Sequence, residues 1–228
     1  MSKIAIIPAR GGSKRIPKKN IRNFLGKPII TYAIDVAIGS KIFDEVIVST
    51  DSEEIAAIAR DSGAKVPFMR SQKNSDDYAT TFEVIEEVIL KYREKNDYFD
   101  YGCCIYPCTP LLKEENIIKS FDKLIENDYD LVFPIVKYSF PIQRALKTTH
   151  GLAMMIQPEH ITTRSQDLED SYHDVGQFYS FKVDKLMRKK SLLTDNTSFI
   201  EISELESQDI DNIEDWNLAE LKYSIINK

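Results

Sequence analysis

The feature that most constrains this chain is the exchange of short apolar runs with amphipathic helical stretches over its first 136 residues. Lys3–Ile7 (KIAII) is rich in β-branched residues and reads as a buried strand, and Pro8, which lacks a backbone N–H, predicts its end. The same reading gives strands at EVIVS (45–49), VPFM (66–69), YGCCIY (101–106) and DLVFPIV (130–136). Helices are predicted from near Pro28 to Gly39, over EEIAAIARDS behind a cap at Asp51 or Ser52, from Thr80 or Thr81 through FEVIEEVILKYREK, and over residues 114–127. Such alternation predicts an α/β domain with a mostly parallel sheet, whose ligands bind at loops beyond the strand C-termini. Lys137–Tyr172 departs from the pattern: it is polar, holds Pro141 and Pro158, and lacks periodicity. It reads as an inserted arm or hairpin. Alternation returns with VGQFYSFKV, VDKLMRKK and the closing helix IEDWNLAELKYSII, which divides the chain into a domain over 1–136 and 173–228 and an arm over 137–172.

With 43% hydrophobic residues among 228, the chain has material for a sizeable core. Its net charge of −6 is unevenly spread. The segment 1–34 holds Lys3, Arg10, Lys14, Arg15, Lys18, Lys19, Arg22 and Lys27 and no acid, whereas 191–221 holds acids and no Lys or Arg. An acidic chain has no global attraction for nucleic acid or a membrane surface, but a local cationic cluster suits a compact anionic ligand. No apolar run approaches the ~18–20 residues of a membrane span, and the N-terminal apolar run is too short for a signal peptide. Cys103, Cys104 and Cys108 crowd into six residues, which argues for packed thiols in a reducing cytoplasm rather than a disulfide framework.

The cationic cluster centres on IPARGGSKRIPKKN (7–20), directly after the first predicted strand. Gly11 and Gly12 allow a tight turn that brings N–H groups to a ligand, and Arg10, Lys14, Arg15, Lys18 and Lys19 surround it. Amide donors beside cations are what a triphosphate requires. Neither G-x-x-x-x-G-K-[ST] nor G-x-G-x-x-G is present, which disfavours a P-loop NTPase or a dinucleotide dehydrogenase. The plainer alternative is a solvated basic turn.

Near the other end, Gln208-Asp209-Ile210-Asp211 puts two carboxylates at i and i+2, on one face if the segment is extended. They could bind a hard cation such as Mg2+. From spacing alone the better reading is that Asp211 caps the closing helix. His173, Asp174 and Gly176-Gln177-Phe178-Tyr179 put polar groups beside aromatic ones, which suits a sugar ring, although a core strand behind a turn is the simpler reading. His150, His160 and His173 have no zinc-ligand spacing, and no G-x-S-x-G nucleophile motif occurs.

On ARGGSKRIPKKN the chain resembles the cytidylyltransferases that activate nine-carbon sugar acids, the CMP-N-acetylneuraminate synthetases and their relatives. Ala9, Arg10, Gly12, Ser13, Lys14, Lys19 and Asn20 match the family signature, and LGKPIITYAI, VIVSTDSEEIA and QDID extend the likeness over essentially the whole chain. Within the family, CCIYPCTP, FPIQRALK, QPEH and TRSQDLEDSYHDVGQFY look like the pseudaminic acid subgroup. Tyr106 stands where sialic acid enzymes carry a sugar-contacting glutamine, and Gly176-Gln177-Phe178-Tyr179 stands where they show N-G-A-x-Y. Both departures fall on the sugar side.

The resemblance implies a Rossmann-like, mostly parallel sheet of the nucleotide-diphospho-sugar transferase type with a small dimerisation arm. It implies transfer of CMP from CTP to the anomeric hydroxyl of a nonulosonic acid, with pyrophosphate leaving and the work done by positioning and charge stabilisation. It implies CTP contacts at Ala9, Arg10, Gly11, Gly12, Ser13, Lys14, Lys19, Asn20, Arg70 and Thr80 or Thr81. Arg10, Lys19, Asp209 and Asp211 would carry the chemistry, and Asp209 with Asp211 would hold Mg2+ or another divalent cation, reversing the cap reading. Tyr106, Gln143, Arg144, Arg164, His173, Gln177 and Tyr179 fall on the sugar side, with Arg164 reaching a partner's site in a homodimer. CMP-N-acetylneuraminic or CMP-legionaminic acid synthesis is the neighbouring alternative, and a non-catalytic nucleotide- or sugar-binding module is the alternative from another class.

Overall fold

The computed structural model describes residues 1–227. In chain order its strands are β1 (Lys3–Pro8), β2 (Asn23–Phe24), β3 (Lys27–Pro28), β4 (Glu45–Ser49), β5 (Tyr101–Ile105), β6 (Leu131–Lys137), β7 (Leu146–Thr149), β8 (Leu152–Met155), β9 (Tyr172–Asp174), β10 (Phe178–Lys182) and β11 (Thr197–Glu201). The helices are α1 (Ile30–Gly39), α2 (Glu53–Asp61), α3 (Thr81–Arg93), α4 (Glu114–Glu126), α5 (Val183–Lys189) and α6 (Ile213–Ile226).

The main sheet runs β11-β6-β10-β5-β1-β4, with β9 also paired to β6. β1 lies parallel to β4 and β5, and β11 parallel to β6. β10 is the reversed strand, antiparallel to both β5 and β6. The mostly parallel α/β architecture expected from the alternation is therefore present, with one inverted member that local sequence gave no means of orienting. Side chains alternate between two apolar layers, as a strand's period of two requires. Ala5, Ile7, Val48, Cys103 and Ile105 pack with α1 and α4, whereas Ile4, Ile6, Ile47 and Cys104 pack with α3 and α5. Gly102 is needed at the centre of β5, because a Cβ there would meet the Phe181 ring at 2.5 Å.

Capping chemistry starts two of the long helices. Thr80 caps α3 in a reciprocal box with Glu83, and Asn212 caps α6 in a second box with Asp215. Asp211 is thus not the cap of the closing helix. Ser52 rather than Asp51 caps α2. Two further expectations are corrected. The segment 66–69 is not a strand: Lys65 makes a lone parallel bridge to Ile47, and Pro67 has no N–H with which to continue it. β11 had no counterpart in the sequence reading, because TSFIE is a short edge strand with only one fully buried side chain.

A third apolar cluster fixes the site. Ile16, Phe24, Ile29, Tyr32, Ile210, Trp216 and Ala219 bury one another, with the Phe24 ring edge-on to Tyr32 and Trp216. This cluster seats the first loop against the segment before α6. The stretch between β6 and β9 leaves the sheet and forms the β7–β8 hairpin, which turns at His150 and Gly151, both at positive φ. Its side chains are largely open to solvent, including Phe140 (83%), Leu146 (60%), Leu152 (66%) and Ile161 (70%).

Candidate active site

A cleft of about 370 Å³ opens at the C-terminal ends of β1, β4 and β5, where a parallel sheet places its ligand. The loop after β1 forms one wall. Ala9 is buried and bonds through its N–H to the Ser49 carbonyl at 2.9 Å, which turns the chain out of the sheet. Gly11 passes so close to the start of α2 that a Cβ would sit 3.2 Å from that of Ser52. A Cβ on Gly12 would meet nothing within 4 Å, so the protein itself makes no use of the space beside it. Arg10, Ser13, Lys14 and Lys19 line the cleft.

Asp209 and Asp211 line the same cleft. Ile210 between them is buried in the third cluster, while its two neighbours both face the cleft. Lys19 Nζ donates to the Ile210 carbonyl at 2.7 Å, and Arg15 pairs with Asp211 at 2.8 Å. Asp209 has no ion pair among the described residues. Burial, and then the charge of Asp211, push its carboxyl above the ordinary range, while Lys19 opposes the shift. The pair suits a hard divalent cation: its donors are carboxylate oxygens, and no third acid, histidine or cysteine joins them into a closed cage among the described residues. Such a cation would keep positions for water and ligand oxygens.

The remaining walls come from Arg70, Thr81 and Tyr106. Arg70 is buried, donating from Nε to Ser49 Oγ at 3.0 Å and from Nη2 to the Ser49 carbonyl. Desolvation lowers its pKa, yet a guanidinium stays charged at neutral pH. Glu87 fixes the loop that follows. It accepts from Ser71 N at 2.9 Å and Asn74 Nδ2 at 2.6 Å, and pairs with Lys91. Burial alone would raise the Glu87 carboxyl, but the hydrogen bonds outweigh it and hold it down at about 2. Thr81 Oγ1 lies 3.0 Å from Tyr106 Oη.

Two acids that the sequence reading did not single out also line the cleft. Asp77 accepts from Arg10 Nη1 at 2.8 Å and pairs with Lys14, and the Asp76 carbonyl takes a second Arg10 bond at 3.2 Å. The Lys14 hydrogen bond and charge, followed by Arg10, hold the Asp77 carboxyl below its usual range. No local pattern marks Asp77, because its partners are distant in sequence.

The sugar-side residues scatter. Tyr106 and Gly176 line the cleft. Gln177 does not: it is buried, donates to the Glu206 carbonyl at 2.5 Å and leaves its oxygen unpartnered. Tyr179 is a core ring stacked on Phe133, with its hydroxyl on Asp174 at 2.5 Å. His173 packs against Tyr138 and contacts the Asp174 carbonyl. Gln143, Arg144 and Arg164 sit on the arm, bonded to the Glu169 carbonyl, the Thr163 carbonyl and Asp167. Thr80 is occupied as a helix cap, with its hydroxyl 2.8 Å from Glu83 Oε2, so of the two threonines only Thr81 faces the cleft. The three cysteines are free; burial raises the Cys103 thiol to about 12.

Residues 4–214 match the family model described as cytidylyltransferase. The chain is 39% identical over 226 residues, covering 99% of it and 97% of the relative, to a pseudaminic acid cytidylyltransferase of Campylobacter jejuni. It is 31% identical over 227 residues to a CMP-N,N'-diacetyllegionaminic acid synthase of Legionella pneumophila, covering 95% and 94% of the two chains. Among solved structures, CMP:2-keto-3-deoxy-manno-octonic acid synthetase complexed with CTP superposes with a TM-score of 0.72 at 16% identity, covering 100% and 99% of the two chains, a likeness of fold. A family model spanning nearly the whole chain and full-length relatives agree with a cleft that joins a cationic turn to an acid pair: the chain belongs to the cytidylyltransferase family.

Proposed function

We propose that the protein transfers CMP from CTP to the anomeric hydroxyl of a nine-carbon nonulosonic acid, specifically pseudaminic acid, and releases pyrophosphate. The observation that carries this reading is the meeting, in one cleft, of the Arg10–Lys19 turn and the Asp209/Asp211 pair, joined by the Arg15–Asp211 ion pair and the Lys19 bond to the Ile210 carbonyl. Arg10, Lys14 and Lys19 supply cations for the triphosphate, and the turn offers the Gly12 N–H, since those of Gly11 and Ser13 are bonded to Asp51 and to the Gly11 carbonyl. Arg70 and Thr81 flank the nucleoside end, and Tyr106 and Gly176 flank the acceptor end. Asp209 and Asp211 would hold Mg2+ or a similar divalent cation, which when bound neutralises phosphate charge and makes the α-phosphorus more electrophilic. Lys19 and Arg10 stabilise the charge that spreads over the phosphoryl oxygens as the hydroxyl attacks in line.

The acceptor is supported by full-length identity to the Campylobacter enzyme and by Tyr106 at the acceptor end. A homodimer is supported by the exposed apolar side chains of the arm, Phe140, Leu146, Leu152 and Ile161, with Arg164 carried on that same arm. The unpaired thiols support a reducing, cytoplasmic setting. No helix among the described residues is long and apolar enough to cross a membrane.

The test is pyrophosphate release across the four nucleoside triphosphates and a panel of nonulosonic acids, with and without divalent metal. Release is expected from CTP with pseudaminic acid and metal together. Turnover with N-acetylneuraminate but none with pseudaminic acid would overturn the acceptor assignment.

A further inference from the structure

One peptide unit of the basic turn is held from two directions. The Arg10 carbonyl accepts from Asn20 Nδ2 at 2.9 Å, and the Gly11 N–H donates to Asp51 Oδ1 at 2.8 Å. Asn20 is itself oriented, because its Oδ1 accepts from the Cys108 thiol at 3.2 Å. Asn20 is 5% exposed, so a flipped amide would lose both bonds with little water to replace them. Burial pushes the Cys108 thiol up to about 12, which keeps it an S–H donor at neutral pH. Cys108 and Asp51 come from different segments, beyond β5 and beyond β4, and of the two only Cys108 lines the cleft. Neither belongs to the basic turn.

We propose that Asp51 directly, and Cys108 through Asn20, are positioning residues that preset the Arg10–Gly11 peptide for the triphosphate. The inference rests on reading the turn as the triphosphate cradle. Two adjacent glycines leave the following backbone free to take many orientations, and a ligand that must order them loses affinity for it. Fixing the plane of the Arg10–Gly11 peptide anchors the point from which the two glycines depart and so removes part of that freedom. It also sets the direction in which the Arg10 side chain leaves the backbone. The thiol is thereby assigned a hydrogen-bonding role rather than one of packing alone.

The experiment compares two pairs of variants by steady-state pyrophosphate release and thermal midpoint: Cys108→Ala with Cys108→Ser, and Asp51→Ala with Asp51→Asn. Serine keeps a donor and asparagine keeps an acceptor. Each alanine variant is expected to raise KM for CTP by about tenfold, leaving KM for the sugar acid unmoved. The serine and asparagine variants should stay within about twofold of the wild type. Cys108→Ala and Cys108→Ser should melt together. Equal activity within each pair, or losses that follow the thermal midpoint, would overturn the proposal. Should Cys108→Ala fail to fold, the Asp51 pair decides the matter alone. A wild-type chain that releases no pyrophosphate from CTP overturns the functional reading and the clamp together. Wild-type turnover without a difference between alanine and its conservative counterpart overturns the clamp only.

Discussion

Lys19 Nζ donates to the Ile210 carbonyl at 2.7 Å and stands 4.0 Å from Asp211, so one side chain joins the cationic turn to the acid pair across most of the chain length. Removing it takes away a cation from the phosphate site and the bond that holds the Asp209–Asp211 segment in register. Lys19→Ala is expected to lower kcat about 100-fold, equivalent to ~3 kcal/mol of transition-state stabilisation. The fold should survive, because Ile16 and Ile210 remain buried in the aromatic cluster. Pyrophosphate release measured at saturating CTP checks this, and an unchanged kcat removes Lys19 from the chemistry.

Asp77 occupies the cations proposed above for the triphosphate. Bound to Arg10 and Lys14, its carboxylate stands where an anionic ligand would otherwise gain those contacts. Asp77→Asn should tighten CTP about threefold at low ionic strength, and the gain should shrink as salt screens the exposed pair. Titration calorimetry at two salt concentrations measures both. Weaker CTP binding by the asparagine variant would mean that Asp77 helps shape the site rather than competing for it.

Asp209 is exposed but partly desolvated and stands beside the like charge of Asp211, an arrangement that is unfavourable without a cation. Asp209→Asn removes that repulsion. The variant is expected to lose metal-dependent turnover while its thermal midpoint stays level or rises, the pattern of a site that trades stability for activity. Chelation of the wild type should abolish turnover, and added Mg2+ should restore it. Near-normal turnover by the variant would exclude Asp209 as a metal ligand.

Glu87 gives the acid dependence of folding a definite window. Its carboxyl is held at about 2 against an ordinary value of 4.5. A folded-state value below the unfolded one stabilises the fold fully above the unfolded value, and that contribution is lost as pH falls from about 4.5 towards 2. The bonds from Ser71, Asn74 and Lys91 should therefore contribute about 3 kcal/mol at pH 7. Denaturant melts of wild type and Glu87→Gln are expected to differ by about that amount at pH 7 and to converge towards pH 2. A constant difference across that range would place the stabilisation elsewhere.

The place of the basic turn at the cleft was legible because a proline ends the strand before it and its glycines and cations mark a loop beyond a strand C-terminus. Asp209 and Asp211 were ambiguous because helix capping and metal binding draw on the same side chain. The structure gives the cap of α6 to Asn212, one residue further on. Asp77, Asp51 and the Cys108–Asn20 bond were not legible, since each acts on a partner that only tertiary folding brings near. The same holds for the inverted direction of β10, which depends on pairing with β5 and β6 rather than on its own residues. Gln177 shows the converse. A polar residue in a site-like motif turned inward to the Glu206 carbonyl, an outcome its neighbours in sequence could not disclose.

β9 and β10 run along the same side of β6, both antiparallel to it, and between them Val175, Gly176 and Gln177 leave the ladder, with Gly176 at φ +61° against Tyr106. This cleft wall is therefore an interruption within a strand, anchored by regular pairing before and after it. Residues can be exchanged in such an interruption while the flanking pairs keep their register. The residues proposed for the donor end lie in other segments, at 8–20 and 70–81. On the proposed assignment of the two ends, an exchange at Gly176, which alone of the three lines the cleft, would alter the acceptor wall while leaving the donor residues in place.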